Sequence, residues 1–72
     1  MDFLIEYCRL WNYKPDALRV KDLLKQKADK AEIEPGRVGA FEISRDGSLV
    51  FSKLDIGRFP TDEEVLSFLG SS

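Results

Sequence analysis

The chain has 72 residues, 43% hydrophobic and 33% charged, with a formal net charge of −2. That supports one domain over residues 1–72 with one modest core, and a marginal stability of about 3–5 kcal/mol. One cysteine and no histidine exclude an internal disulfide and leave no metal site to expect. The interleaved charges form no basic face for nucleic acid, and no apolar run approaches the roughly 20 residues that span a bilayer.

In chain order, Phe3, Ile5 and Tyr7 alternate with Leu4, Glu6 and Cys8, which predicts a strand with one buried face. Arg9 to Lys14 is a connection. Asn12 is the expected helix N-cap, with Pro15 in the first turn, where a missing N–H costs nothing. Ala17, Val20, Leu24 and Ala28 recur at helical spacing, with Lys21, Asp22, Lys25 and Lys27 opposite. This predicts an amphipathic helix to about Lys30, its late lysines facing the negative end of the dipole. The lysine-rich side, diluted by Asp16, Asp22 and Asp29, is an ordinary solvated face.

Ala31, Ile33 and Pro35 alternate with Glu32 and Glu34, a short strand that proline confines to an edge. Gly39 to Ser44 and Ser48 to Ser52 predict a hairpin around Arg45-Asp46-Gly47. A two-residue Asp46-Gly47 loop sets Glu42 opposite Phe51 and Phe41 opposite Ser52, mixing polar and apolar on each face. A three-residue loop with Gly47 left-handed pairs Phe41 with Phe51 and Ile43 with Leu49, and is the preferred register. Thr61-Asp62-Glu63-Glu64 is a capping box. Val65, Leu66, Phe68 and Leu69 give the apolar side of a short helix, ended by Gly70.

The order is strand, helix, strand, strand, strand, helix. A right-handed crossover makes the first two strands parallel, and the hairpin adds antiparallel ones. Glu6, Glu42, Ser44 and Ser48 mark one solvated sheet face, so both helices should cover the other. The fold class is a two-layer α/β sandwich. Glu6, Glu42 and Asp46 are accounted for by that face and by the turn, not by acid–base catalysis. Gly36 and Gly39 lack the spacing and the following helix of a phosphate loop, and backbone geometry is the better account of both.

On this order, four motifs in sequence resemble the selenoprotein W-like (Rdx) family of thioredoxin-fold proteins. They are Tyr7-Cys8-Arg9-Leu10-Trp11-Asn12-Tyr13-Lys14-Pro15, Pro35-Gly36-Arg37-Val38-Gly39-Ala40-Phe41-Glu42-Ile43, Gly47-Ser48-Leu49-Val50-Phe51-Ser52-Lys53, and Gly57-Arg58-Phe59-Pro60. The resemblance implies a thioredoxin-like fold, a four-stranded mixed sheet in the order 2-1-3-4, and thiol-redox work. The family's first motif carries a cysteine or selenocysteine where this chain has Trp11, so dithiol reductase activity is not transferred.

Cys8 is the candidate redox thiol. It stands at a strand-to-helix junction, where a helix N-terminus favours thiolates in general. A free cysteine also packs as a small hydrophobe, so an inert buried thiol is the competing reading. If it reacts, it does so as a monothiol, forming intermolecular mixed disulfides with glutathione or a protein partner. No cofactor is expected beyond glutathione in that role. The alternative is a non-catalytic interaction module presenting Trp11, Tyr13 and Phe59, since loop aromatics bury much area at low entropic cost. Either way the expectation is a cytoplasmic protein, a monomer or weak dimer, with no nucleic-acid or membrane partner.

Overall fold

The computed structural model describes residues 1–70. The chain runs β1 (Asp2–Tyr7), α1 (Lys14–Leu24), β2 (Lys30–Pro35), β3 (Phe41–Arg45), β4 (Ser48–Ser52), α2 (Lys53–Ile56) and α3 (Asp62–Ser67). The sheet order is β2-β1-β3-β4, with β1 and β2 parallel and the other neighbours antiparallel. This is the thioredoxin-like β-α-β-β-β-α sandwich. Helices α1 and α3 pack together over one face, where Phe3, Ile5, Phe41, Ile43 and Phe51 meet Ala17, Val20, Leu24, Val65 and Leu69. Among the described residues, no helix is long and apolar enough to cross a membrane.

Three local expectations are corrected. The long helix stops at Leu24, not near Lys30. Long-range pairing overrides the continuing periodicity: Asp29 N–H donates to the Met1 carbonyl (3.0 Å), the Asp29 carboxylate meets the Met1 ammonium, and Lys30 must already lie beside Asp2. Lys27 and Lys30 therefore lie beyond the helix. The N-cap is Tyr13, which makes no side-chain cap bond. Asn12 is left-handed instead (φ 58°), a conformation asparagine tolerates better than most residues.

At its turn the hairpin has the two-residue register, not the three-residue loop, so the expected pairs Phe41–Phe51 and Ile43–Leu49 do not form. Asp46 (φ 49°) and Gly47 (φ 86°) form a two-residue turn with both residues at positive φ, whose twist matches the strands. The mixing of faces is then cured by a bulge: Ser44 faces Leu49 while Ile43 faces Phe51, leaving Val50 as the extra residue. Phe51 thus reaches the core and Leu49 points to solvent. Asp46 also ties the turn to β1, its carboxylate accepting from Asp2 N–H (2.8 Å) and its own N–H donating to the Asp2 carbonyl (2.8 Å).

The capping box forms as expected. Glu64 N–H donates to Thr61 Oγ1 (3.2 Å) and Thr61 N–H donates to Glu64 Oε1 (2.8 Å). Arg58 adds two bonds to the same carboxylate, at 2.7 and 2.8 Å. That guanidinium, with the Thr61 N–H behind it, draws the Glu64 carboxyl from an ordinary 4.5 down to about 2. A carboxyl depressed on folding stabilises above its unfolded value and loses that contribution as pH falls through the folded one. The start of α3 should therefore loosen between pH 4.5 and about 2. NMR titration of the Glu64 carboxyl should find a midpoint near the lower value, and Arg58→Ala should lift it. A wild-type midpoint at 4.5 would contradict the clamp.

Candidate functional site

The site lies where β1 runs out. Cys8 N–H donates to the Ala40 carbonyl (2.9 Å), continuing the β1–β3 ladder by one residue. The chain then turns tightly. Asn12 N–H donates to the Arg9 carbonyl and Tyr13 N–H to the Cys8 carbonyl, both at 3.0 Å. Trp11 N–H donates to Cys8 Sγ at 3.3 Å. The sulfur therefore sits at the end of the first strand, beside the start of α1, closed under the loop it begins. Cys8 is 1% exposed.

Trp11 occupies the opposite extreme, with 56% of its surface exposed. Its ring lies over Gly39 (φ 80°), where an added Cβ would come within 3.1 Å of the indole and 3.8 Å of Leu54. Gly39 thus admits the indole as well as the turn. Gly36 does the same for Glu6: a Cβ there would fall 2.1 Å from Glu6 Cγ. Glu6 folds into that space to accept from Arg37 N–H (2.7 Å), Nε (3.0 Å) and Nη2 (3.1 Å). The Arg37 hydrogen bonds hold its carboxyl below the usual range.

Tyr13 and Phe59 are half-buried and packed against the core. Their rings meet edge-to-face at 4.7 Å, Phe59 meets Phe41 at 5.0 Å, and Trp11 approaches Tyr13 at 6.1 Å. The structure thus brings Trp11, Tyr13 and Phe59 into one row running from the surface inward, with Trp11 its exposed end. Lys53 Nζ stands 5.2 Å from the centroids of both Tyr13 and Phe59.

Two parts of this region escaped the sequence reading. The first is α2. Its signal is present in Ser52-x-x-Asp55: Ser52 Oγ accepts from Asp55 N–H (3.2 Å), and Gly57 closes the turn at φ 90°. The second is Glu42, expected on a solvated face. It is 6% exposed, because Arg37 and α2 cover this end of the sheet. Its carboxylate accepts from the Ser52 hydroxyl, from Phe41 N–H (3.3 Å) and from Leu54 N–H (3.3 Å), with Arg37 Nη2 at 3.9 Å. No helical periodicity or strand alternation encodes that roof.

Residues 3–70 match the sequence profile of the Rdx family. The chain is 37% identical over 65 residues to migration and invasion enhancer 1 of Mus musculus, covering 88% of this chain and 56% of that protein. The Bos taurus protein of the same name matches with the same figures. The chain therefore spans little more than half the length of these curated relatives. Among solved structures, it is similar to a selenoprotein W-related protein from Vibrio cholerae, with TM-score 0.86 and 21% identity, covering 94% of this chain and 90% of that one. A protein from Bordetella parapertussis superposes with TM-score 0.83 and 21% identity, covering 92% and 89%. At that identity the two structures speak to the fold alone.

Proposed function

The chain belongs to the Rdx family of selenoprotein W-like proteins, and on that premise we propose that it works through one sulfur, as a monothiol redox protein. Position 11 is tryptophan and Cys8 is the only cysteine, so no disulfide can close within this chain. In the proposed step the Cys8 thiolate attacks one sulfur of oxidised glutathione or of a partner's disulfide. A new S–S bond forms, the old one breaks, and the other half leaves as a thiolate. An external thiol must then resolve the mixed disulfide. The observation that carries this reading is the backbone Trp11 N–H donating to Cys8 Sγ at 3.3 Å in the loop that leads into α1. A backbone donor aimed at sulfur beside a helix start is one part of a reacting thiol's setting, and opening of the loop supplies the exposure that the closed sulfur lacks. The setting this implies is the reducing cytoplasm, with residues 1–72 acting as one domain, as a monomer or weak dimer.

The test is the mass of the intact protein after incubation with oxidised glutathione. The wild type should gain one glutathione, reversible by dithiothreitol, and Cys8→Ser should gain none. A native wild type that gains none, while the urea-unfolded protein does, would overturn the reading.

A second reading is favoured by the contrast between an exposed Trp11 and a buried Cys8. Here the protein is an interaction module that docks a protein partner on Trp11, with Tyr13 and Phe59 buttressing the indole from below. Partner capture that survives Cys8→Ser but fails in Trp11→Ala would support it.

A further inference from the structure

We propose that the surface around Trp11 docks a protein segment in which an apolar anchor is flanked by carboxylates. This deepens the second reading above and rests on it for the role of Trp11. Trp11 and Leu54 converge on Gly39, with Leu10 next to Trp11 and Val38 next to Gly39 in the chain. All four are half or more exposed, at 76% for Leu10, 56% for Trp11, 58% for Val38 and 50% for Leu54. Aromatic and aliphatic side chains left open together across two loops and α2 are the composition of an interface core.

The charge beside them narrows the occupant. The whole chain is net acidic, but the three segments that carry the patch, residues 8–14, 37–39 and 53–58, hold Arg9, Lys14, Arg37, Lys53 and Arg58 against Asp55 alone. Arg37 is engaged by Glu6 and Arg58 by Glu64. Among the described residues, Arg9, Lys14 and Lys53 make no ion pair within 4.0 Å. Lys53 is held in place over the Tyr13 and Phe59 rings, next in sequence to Leu54. An apolar centre with Lys53 fixed beside it, on segments that also carry the unpaired Arg9 and Lys14, is complementary to an anchor flanked by Asp or Glu. An anionic bilayer is the weaker match, because Asp2, Glu32, Glu34 and Asp46 are exposed elsewhere on this small net-acidic chain and a bilayer meets more than one patch.

The test uses ¹⁵N-labelled protein carrying Cys8→Ser, so that docking is read without thiol chemistry. Three fluorescent synthetic peptides are titrated: a Leu-Phe anchor flanked by glutamates, the same anchor flanked by lysines, and the glutamate peptide with serines for the anchor. Only the first should bind saturably, shifting the amides of Leu10, Trp11, Val38, Gly39 and Leu54. Trp11→Ala should weaken it about tenfold or more, and Lys53→Glu about fivefold, with a flatter salt dependence. Circular dichroism checks that both variants remain folded. Equal binding of the lysine peptide, no binding of the glutamate peptide, or shifts confined to another face would each overturn the proposal. So would phosphatidylserine vesicles engaging these residues where the glutamate peptide does not. Failure here with glutathione addition intact at Cys8 of the wild type would remove the docking inference and leave the monothiol reading standing. The reverse pattern would do the opposite.

Discussion

Glu42→Ala should destabilise the protein by about 2–4 kcal/mol, enough to consume most of the stability expected at this size. The carboxylate is buried and accepts three bonds, from the Ser52 hydroxyl and the backbone N–H groups of Phe41 and Leu54. Removing it strands donors that α2 and Arg37 shield from water, and an unsatisfied buried donor costs about 1–3 kcal/mol. The Ser52 hydroxyl can rotate away, so the loss falls mainly on the backbone groups. Glu42→Gln keeps an acceptor of similar shape and should cost roughly half as much. Urea denaturation of the three proteins measures this directly. An alanine variant as stable as wild type would mean that the carboxylate is solvated and the roof over it is not formed.

This glutamate also shows where reading the chain runs out. Alternation in Phe3-Leu4-Ile5-Glu6-Tyr7 and the helical recurrence of Ala17, Val20 and Leu24 are local signals, and they led to the β-α-β unit, the strand directions and the buried face. The Thr61–Glu64 capping box is equally local, and it forms. What failed was set by contacts distant in sequence. The end of α1 at Leu24 depends on Met1 meeting Asp29. The hairpin register was a contest between turn chemistry and face alternation, and the bulge at Val50 satisfies both. Glu42 looks like any outward strand residue until Arg37 and α2 close over it. At the site, the thiol's place at the strand-to-helix junction was legible, since it follows from element order alone. Its burial was not, because that depends on Trp11 turning its N–H onto the sulfur while its ring leans on Gly39.

That geometry makes access to Cys8 a property of the loop. Cys8 is 1% exposed, so a reagent reaches its sulfur only when Cys8–Tyr13 opens. A local opening of roughly 2.8 kcal/mol slows labelling about 100-fold relative to the unfolded chain. The indole resting on Gly39 is one of the contacts that keep the loop down. Trp11→Ala removes it while leaving the core side chains of Phe41, Ile43 and Phe51 untouched, so global stability should change little. Gly39→Ala acts from the other side, through a Cβ 3.1 Å from the indole and through strain at φ 80°, worth about 1–2 kcal/mol. Either change should speed labelling about tenfold while the protein remains folded.

This single sulfur is held closed beneath its own loop, and under the monothiol reading it reacts by way of loop opening. The measurement that tests it most directly is the rate at which a chromogenic disulfide reagent modifies Cys8 in native wild type, in native Trp11→Ala and in urea-unfolded wild type. The predicted order is slow, about tenfold faster, and about 100-fold faster. A native wild type that reacts as fast as the unfolded chain would contradict it, because the sulfur would then stand open to solvent.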